Sequence, residues 1–156
     1  MDIKVVGLAS DHAGFALKTF VKQYLTERNI PFKDYGTNSE ESCDYPDYAH
    51  ALAQGIEKGE VYPGIGICGS GEGIAMTLNK HQSIRAGLAW APEIAHLIRQ
   101  HNNANVLVMP GRFINQETAK KILDEFFETD FEGGRHQNRI DKIPIKKDKM
   151  PRKEES

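Results

Sequence analysis

The stretch Ile65-Gly66-Ile67-Cys68-Gly69-Ser70-Gly71-Glu72-Gly73-Ile74-Ala75-Met76 reads as a short buried strand, a glycine loop and the first turn of a helix. Gly69, Gly71 and Gly73 alternate with Ser70 and Glu72. A backbone free of side chains turns sharply there and brings its N–H groups close to an anion, and the helix that follows directs its positive dipole end at the same point. Cys68 stands at the mouth of the loop. The carboxyl end of a strand facing a helix N-terminus favours a reactive thiolate. A buried structural cysteine beside an ordinary turn has the same local sequence, so the neighbouring segments have to decide between the two.

Before this stretch, Ile3-Lys4-Val5-Val6-Gly7-Leu8-Ala9 is a β-branched run that stops at the helix-start signal Ser10-Asp11. Leu17, Phe20, Val21, Tyr24 and Leu25 keep the spacing of an amphipathic helix that closes at Arg28-Asn29, before Pro31. A second strand, Phe32 to Tyr35, ends at Gly36, and a polar loop runs from Thr37 to Asp44. Ala49, Leu52, Ala53 and Ile56 repeat the helical spacing up to Gly59. After the glycine loop, Ile84 to Ala89 is a fourth strand, and Pro92 suits the first turn of the next helix. Asn105 to Met109 is the fifth strand. It gives way at Pro110-Gly111, and Ala119, Ile122, Leu123, Phe126 and Phe127 mark one more amphipathic helix.

Strands alternating with helices predict a three-layer α/β/α fold around a five-stranded, mostly parallel sheet. Ligands in such folds bind at the carboxyl ends of the strands. The residues that follow the strands are Ser10-Asp11-His12, Cys68 to Gly73, Trp90 and Pro110-Gly111-Arg112. The 156 residues suffice for one core, expected over residues 1–141, with a charged tail over 142–156 whose cluster Lys146-Lys147-Asp148-Lys149 reads as a solvated end.

Twenty basic and 22 acidic residues give a net charge of −2, which argues against nucleic acid or an anionic membrane as the partner of the whole surface. Cys43 and Cys68 have neither the spacing of a zinc site nor the number of a disulfide scaffold, which points to a reducing cytoplasm. Met1-Asp2-Ile3-Lys4 has no apolar signal core, and no apolar run reaches the length of a membrane span.

Other chemistries fit poorly. Gly64-Ile65-Gly66-Ile67-Cys68-Gly69 matches a dinucleotide fingerprint in form, but its first glycines lie at or inside the strand and it ends where a helix should begin. A cysteine phosphatase would need an arginine where Ile74 stands. The six histidines form no i, i+4 pair and lie near no Cys or carboxylate cluster at ligand spacing, so no metal site is expected. His101 continues the stripe Ile94, Leu97, Ile98, which implies a covered core position, whereas Asn102 and Asn103 at once imply the opposite. Asp11-His12 could be an N-cap and its neighbour. In Gly133-Gly134-Arg135-His136-Gln137-Asn138-Arg139 two arginines lie four apart on one helical face, a solvated helix end or a fork for a phosphate.

Taken together, Ser10 to Gly14, Asp44-Tyr45-Pro46, Ile67 to Gly73, Asn79-Lys80, Ile84-Arg85-Ala86, Arg99 to Val106 and Gly133 to Arg139 resemble the B-type ribose-5-phosphate isomerases over about residues 3 to 143. The resemblance implies a cofactor-free aldose–ketose isomerase with a Rossmann-like α/β/α subunit that forms homodimers, sometimes tetramers, with active sites shared between subunits. It implies Cys68 as the base between C1 and C2 of the open sugar and His101, reaching across from the partner with Asn102, as the group that opens the furanose ring. Asp11, His12 and Tyr45 resemble contacts to sugar and phosphate. Arg112, Arg135 and Arg139 resemble a phosphate clamp, and the N–H groups of Gly69, Ser70, Gly71, Glu72 and Gly73 resemble a cradle for the enediolate oxygen.

Some members of the family carry a glutamate base where Ile74 stands, so the apolar residue favours the Cys68 route, with Glu72 a neighbouring acid. Ser70 keeps the hydroxyl of the threonine found in many relatives. The family also holds galactose-6-phosphate isomerase subunits and enzymes that accept allose 6-phosphate. A six-carbon sugar phosphate is therefore an alternative substrate, and a non-catalytic phosphosugar-binding module is an alternative of another class.

Overall fold

The computed structural model describes residues 1–146. Its five strands form one sheet in the order β2-β1-β3-β5-β4, and every neighbouring pair is parallel. The three inner strands, β1 (Val6–Ser10), β3 (Gly64–Cys68) and β5 (Val106–Pro110), are buried at every residue. The short edge strands β2 (Phe32–Asp34) and β4 (Ala86–Leu88) are only partly covered. Strands covered on both faces have no solvent side to fill with polar residues, which is why their sequences run apolar without alternation.

Successive side chains of a strand point to opposite faces, so each inner strand feeds two cores. On one face Leu8, Ile65, Ile67, Leu107 and Met109 pack with Leu17, Val21 and Leu25 of α1 (Phe15–Glu27), Ala95 and Ile98 of α4 (Pro92–Gln100), and Ile122, Leu123 and Phe126 of α5 (Gln116–Glu128). On the other, Ala9, Cys68, Val106 and Val108 pack with Ala49, Leu52 and Ala53 of α2 (Tyr45–Glu57) and Ile74 and Leu78 of α3 (Glu72–Leu78). A short helix, α6 (Arg135–Ile140), follows α5. The three-layer expectation holds, and the sheet is parallel throughout rather than mostly so.

Element ends differ from expectation for local reasons. The first strand begins at Val6, not Ile3, because Pro63 lies on its β3 side with a carbonyl to accept from Gly7 N–H at 2.9 Å but no N–H to return. The fourth strand shrinks to Ala86–Leu88, since the Arg85 N–H is taken by the Asn105 side chain at 2.7 Å and the Ala86 N–H by that of Asn79 at 2.8 Å. Of the expected tail, Ile145 donates its N–H to Gln82 Oε1 at 2.9 Å. Residues 147–156, with the rest of the basic cluster, lie outside the described residues. Among the described residues, no helix is long and apolar enough to cross a membrane.

A buried lysine ties α1 to the loop after β2. Lys18 lies on the inward face with Val21 and Leu25, 1% exposed, and its ammonium reaches Asp34 Oδ1 at 2.8 Å and the Thr37 carbonyl. Lys22 pairs with the other carboxylate oxygen. Burial alone would raise the Asp34 pKa, but the two ammonium groups and the Gly36 N–H outweigh it and hold the carboxyl below its usual 3.8. Burial pushes the Lys18 ammonium down, against the pull of Asp34.

Asp34→Asn is therefore expected to cost about 3–5 kcal/mol at neutral pH, because it leaves a buried ammonium without its counter-charge, and Lys18→Met is expected to cost much less. A group with a depressed native pKa stabilises above its unfolded value and loses that contribution as pH falls through the native one. Urea unfolding should show the gap between Asp34→Asn and the wild type closing as pH drops below 3.8. A gap that persists there would rule out this pairing as its source.

Candidate active site

The helix after β1 lies on one face of the sheet and the helix after β3 on the other, so the chain parts at the carboxyl ends of these neighbouring strands and leaves a crevice. Backbone hydrogen bonds bind its three walls together. Asp11 N–H donates to Ile67 O at 3.3 Å, Gly111 N–H to Cys68 O at 2.9 Å and Arg112 N–H to Gly69 O at 3.0 Å. Asp11 caps the 3-10 turn His12–Gly14, its carboxylate accepting the Gly14 N–H at 3.0 Å. Gly14 is required, since a Cβ there would stand 2.7 Å from the Ile67 carbonyl carbon.

Cys68 ends β3 opposite Pro110 and is 4% exposed. Gly71 takes φ +80° as the N-cap of α3, with no side chain capping the helix from that position. Ser70 Oγ accepts the Glu72 N–H at 3.2 Å, and the first intrahelical bond runs from Ala75 N–H to Gly71 O at 3.1 Å. The N–H groups between them belong to the unpaired first turn that any helix presents. Tyr45, at the start of α2, lies against this turn: a Cβ on Gly73 would come 2.7 Å from its hydroxyl. From the β5 side, the exposed Arg112 leans over the loop, its Nη1 3.6 Å from where a Gly69 Cβ would be. His12 accepts the Cys43 N–H on Nδ1 at 3.2 Å, and Asp11, His12, Cys43 and Tyr45 line an open cavity of about 600 Å³. Asp11, His12, Tyr45, Cys68, the glycine loop and Arg112 thus share one end of the sheet.

His101, Asn102, Arg135 and Arg139 do not join them. Helix α4 runs back along the sheet, and Asn105 O, just after the His101–Asn103 turn, accepts from Gly64 N–H at 2.9 Å. Gly64 opens β3 and Cys68 closes it, a separation of about 13 Å at 3.3 Å per residue. His101 follows the last helical residue, so its side chain is 39% exposed rather than covered as the stripe implied. Its ring stacks on that of His136 in α6, with centroids 4.4 Å apart. The Glu132 N–H donates to Gln100 O at 3.0 Å and docks the segment leading into α6 against the end of α4. Arg135 and Arg139 are both exposed on α6, and Asn102 lines a second cavity of about 360 Å³ with Arg85 and Ile145. Burial, with the neighbouring His101 and Arg135, pushes the His136 imidazole below the usual histidine range.

Two features escape sequence reading. The Cys43 N–H on His12 lies in an unpatterned polar loop and leaves no signal. Lys18 does leave one, a cation at helical spacing from Val21 and Leu25.

A parallel α/β/α sheet with an open amide loop beside a buried thiol at its carboxyl end is a Rossmann-like fold with a small-ligand site. More particularly, residues 6–143 match the family model for Ribose/Galactose Isomerase, and the chain belongs to that family. It is 43% identical over 141 residues to ribose-5-phosphate isomerase B of Escherichia coli, covering 90% of this chain and 95% of that one. The crystal structure of a ribose 5-phosphate isomerase from Thermotoga maritima superposes with a TM-score of 0.89 at 49% identity, covering 92% of this chain and 99% of that one. That of ribose-5-phosphate isomerase B from Mycoplasma genitalium with bound ribulose-5-phosphate gives 0.84 at 41%, covering 88% and 92%.

Gly71→Ala is expected to lose about 1–2 kcal/mol from left-handed strain alone. The added methyl also meets Leu88, so denaturant unfolding should show at least that loss.

Proposed function

We propose that this protein interconverts ribose 5-phosphate and ribulose 5-phosphate, with Cys68 as the base, in a homodimer whose two sites each combine the Cys68 end of one chain with the His101 end of the other. The observation that carries the reading is that the residues expected to act together lie at opposite ends of a single sheet, about 13 Å apart along β3, with Cys68 at one end. Two copies related by a twofold axis can bring unlike ends together twice. Relatives named as ribose-5-phosphate isomerases, one of them with ribulose-5-phosphate bound, support the substrate.

In this reading His101, steadied by Asn102, opens the furanose by moving a proton between the ring oxygen and the C1 hydroxyl. The Cys68 thiolate takes the proton from C2 of the aldehyde, and negative charge gathers on the carbonyl oxygen. The amides of Gly69 to Gly73 donate to that oxygen and stabilise the enediolate where charge develops. A proton passes from the C2 hydroxyl to O1, and the Cys68 thiol returns its proton to C1 to complete the ketose. Arg112, with Arg135 and Arg139 of the facing chain, holds the phosphate, so that a group which does not react positions the carbons that do. Asp11, His12 and Tyr45 complete the contacts to the sugar. The proton transfers use only side chains and backbone, so no cofactor enters. A single domain over residues 1–141 working in the cytoplasm fits two free cysteines and a metabolite substrate.

With chelator present, Cys68→Ala should lower kcat by about 10²–10⁴ while ribose 5-phosphate still binds, the range expected for loss of a positioned base. His101→Asn should be impaired as well. Equal amounts of the two variants, unfolded and refolded together, should recover about a quarter of wild-type turnover, because half the dimers are mixed and each mixed dimer holds one intact site. A mixture no more active than its parts would refute shared sites, and a wild-type protein idle on both pentose and hexose phosphates would refute the isomerase and favour a binding module.

A further inference from the structure

One cluster, which shares only His101 with the proposed proton-transfer path, carries ligand chemistry with no partner for it. His136 is 6% exposed, and its Nε2 makes no hydrogen bond. A carboxylate oxygen of Glu132 lies 3.8 Å from that nitrogen and 4.0 Å from His101 Nε2. One ligand atom from each of the three residues falls within 4.8 Å of the others. Buried polar atoms are almost always paired, and an orphan commonly marks a missing ion or water. We propose that His101, Glu132 and His136 form a binding site for a divalent transition metal of the zinc class, which takes the free Nε2 of His136.

The donor set suits such a metal. Two imidazoles and a carboxylate are ligands that zinc accepts, with a fourth position open to water. Bonds of 2.0–2.1 Å place tetrahedral ligands about 3.4 Å apart, so the Glu132 oxygen has to close in on each nitrogen by about half an ångström. A metal lies in the plane of an imidazole, so the His101 ring also has to turn out of its parallel stack on His136. Both moving groups have room, Glu132 being 50% exposed and His101 39%. The buried His136, with its Nε2 unpaired, is the fixed ligand. The spacing is prepared by the fold: the left-handed glycines Gly133 and Gly134 turn the chain between Glu132 and His136, and the Glu132 N–H is anchored on Gln100 O beside His101.

The consequence for activity rests on the ring-opening role proposed above for His101. A metal on His101 occupies the nitrogen that the reaction needs, so zinc acts as an inhibitor and not as a cofactor. The cluster then links turnover to free metal.

The test is to titrate the metal-free wild-type dimer with Zn²⁺ against a chromophoric chelator, and to read Co²⁺ absorption for tetrahedral imidazole and carboxylate ligation. One metal per chain is expected. Glu132→Gln and His136→Gln should each weaken binding by about tenfold or more, at least the loss that supporting residues of metal sites show. The Cys43→Ser/Cys68→Ser double variant should bind as the wild type does. Zinc held by the cysteines, or binding unchanged in both Glu132→Gln and His136→Gln, overturns the site. In parallel, ribose 5-phosphate turnover should fall with Zn²⁺ and return with chelator, and Glu132→Gln should keep its own metal-free rate at the same Zn²⁺. Metal bound at the cluster with turnover unchanged supports the site and overturns the role of His101.

Discussion

Burial of the inner strands on both faces is the constraint on which the rest depends. β1, β3 and β5 expose no residue, so a charged group cannot stand along them without a partner, and their one hydroxyl, that of Ser10, falls at the very end of β1. Chemistry is displaced to where the strands stop. Cys68 is the informative exception, because a thiol packs as a small apolar group and can occupy the last position of a buried strand beside Ile74 and Val108. Asp11 is the other side of the same rule: almost covered at the end of β1, it is tolerated because the Gly14 N–H meets its carboxylate.

The parallel arrangement brings a second effect. Every strand points the same way, so every loop that follows a strand gathers at one end and every loop that follows a helix gathers at the other. Asp11, Cys68 and Arg112 belong to the first set. His101 and α6 belong to the second. A single copy cannot unite the two sets without breaking the sheet, and this topological separation, more than any individual contact, is what makes two chains the natural unit of the proposed reaction.

Much of this was legible in the sequence. The strand, loop and helix around Cys68 are encoded locally, by Ile-rich residues that must be buried, glycines that permit φ +80° at Gly71, and a helix that starts at once. The helical stripes gave α1, α4 and α5 by their inward residues. What stayed hidden depends on contacts between distant segments. For His101 the stripe and the following asparagines pointed opposite ways, and the asparagines were the better guide, because α4 ends one residue earlier, at Gln100, and spacing carries no information about where a helix stops. The stack of His101 on His136 arises from the docking of residue 132 against residue 100, which no local pattern announces. The length of β4 likewise depends on Asn79 and Asn105 capturing backbone groups of another segment.

The bond from Cys43 to His12 has an effect beyond holding a loop. A backbone N–H can only donate, so the ring nitrogen that receives it must present its lone pair, and in a neutral imidazole the hydrogen then resides on the opposite nitrogen, Nε2. His12 therefore meets the crevice as a donor even without positive charge, which suits an oxygen-rich anionic guest and disfavours a cationic one. The tautomer is dictated from the loop after β2, a segment held in turn by Lys18 and Asp34. The backbone of a surface loop thus sets the polarity of the entrance.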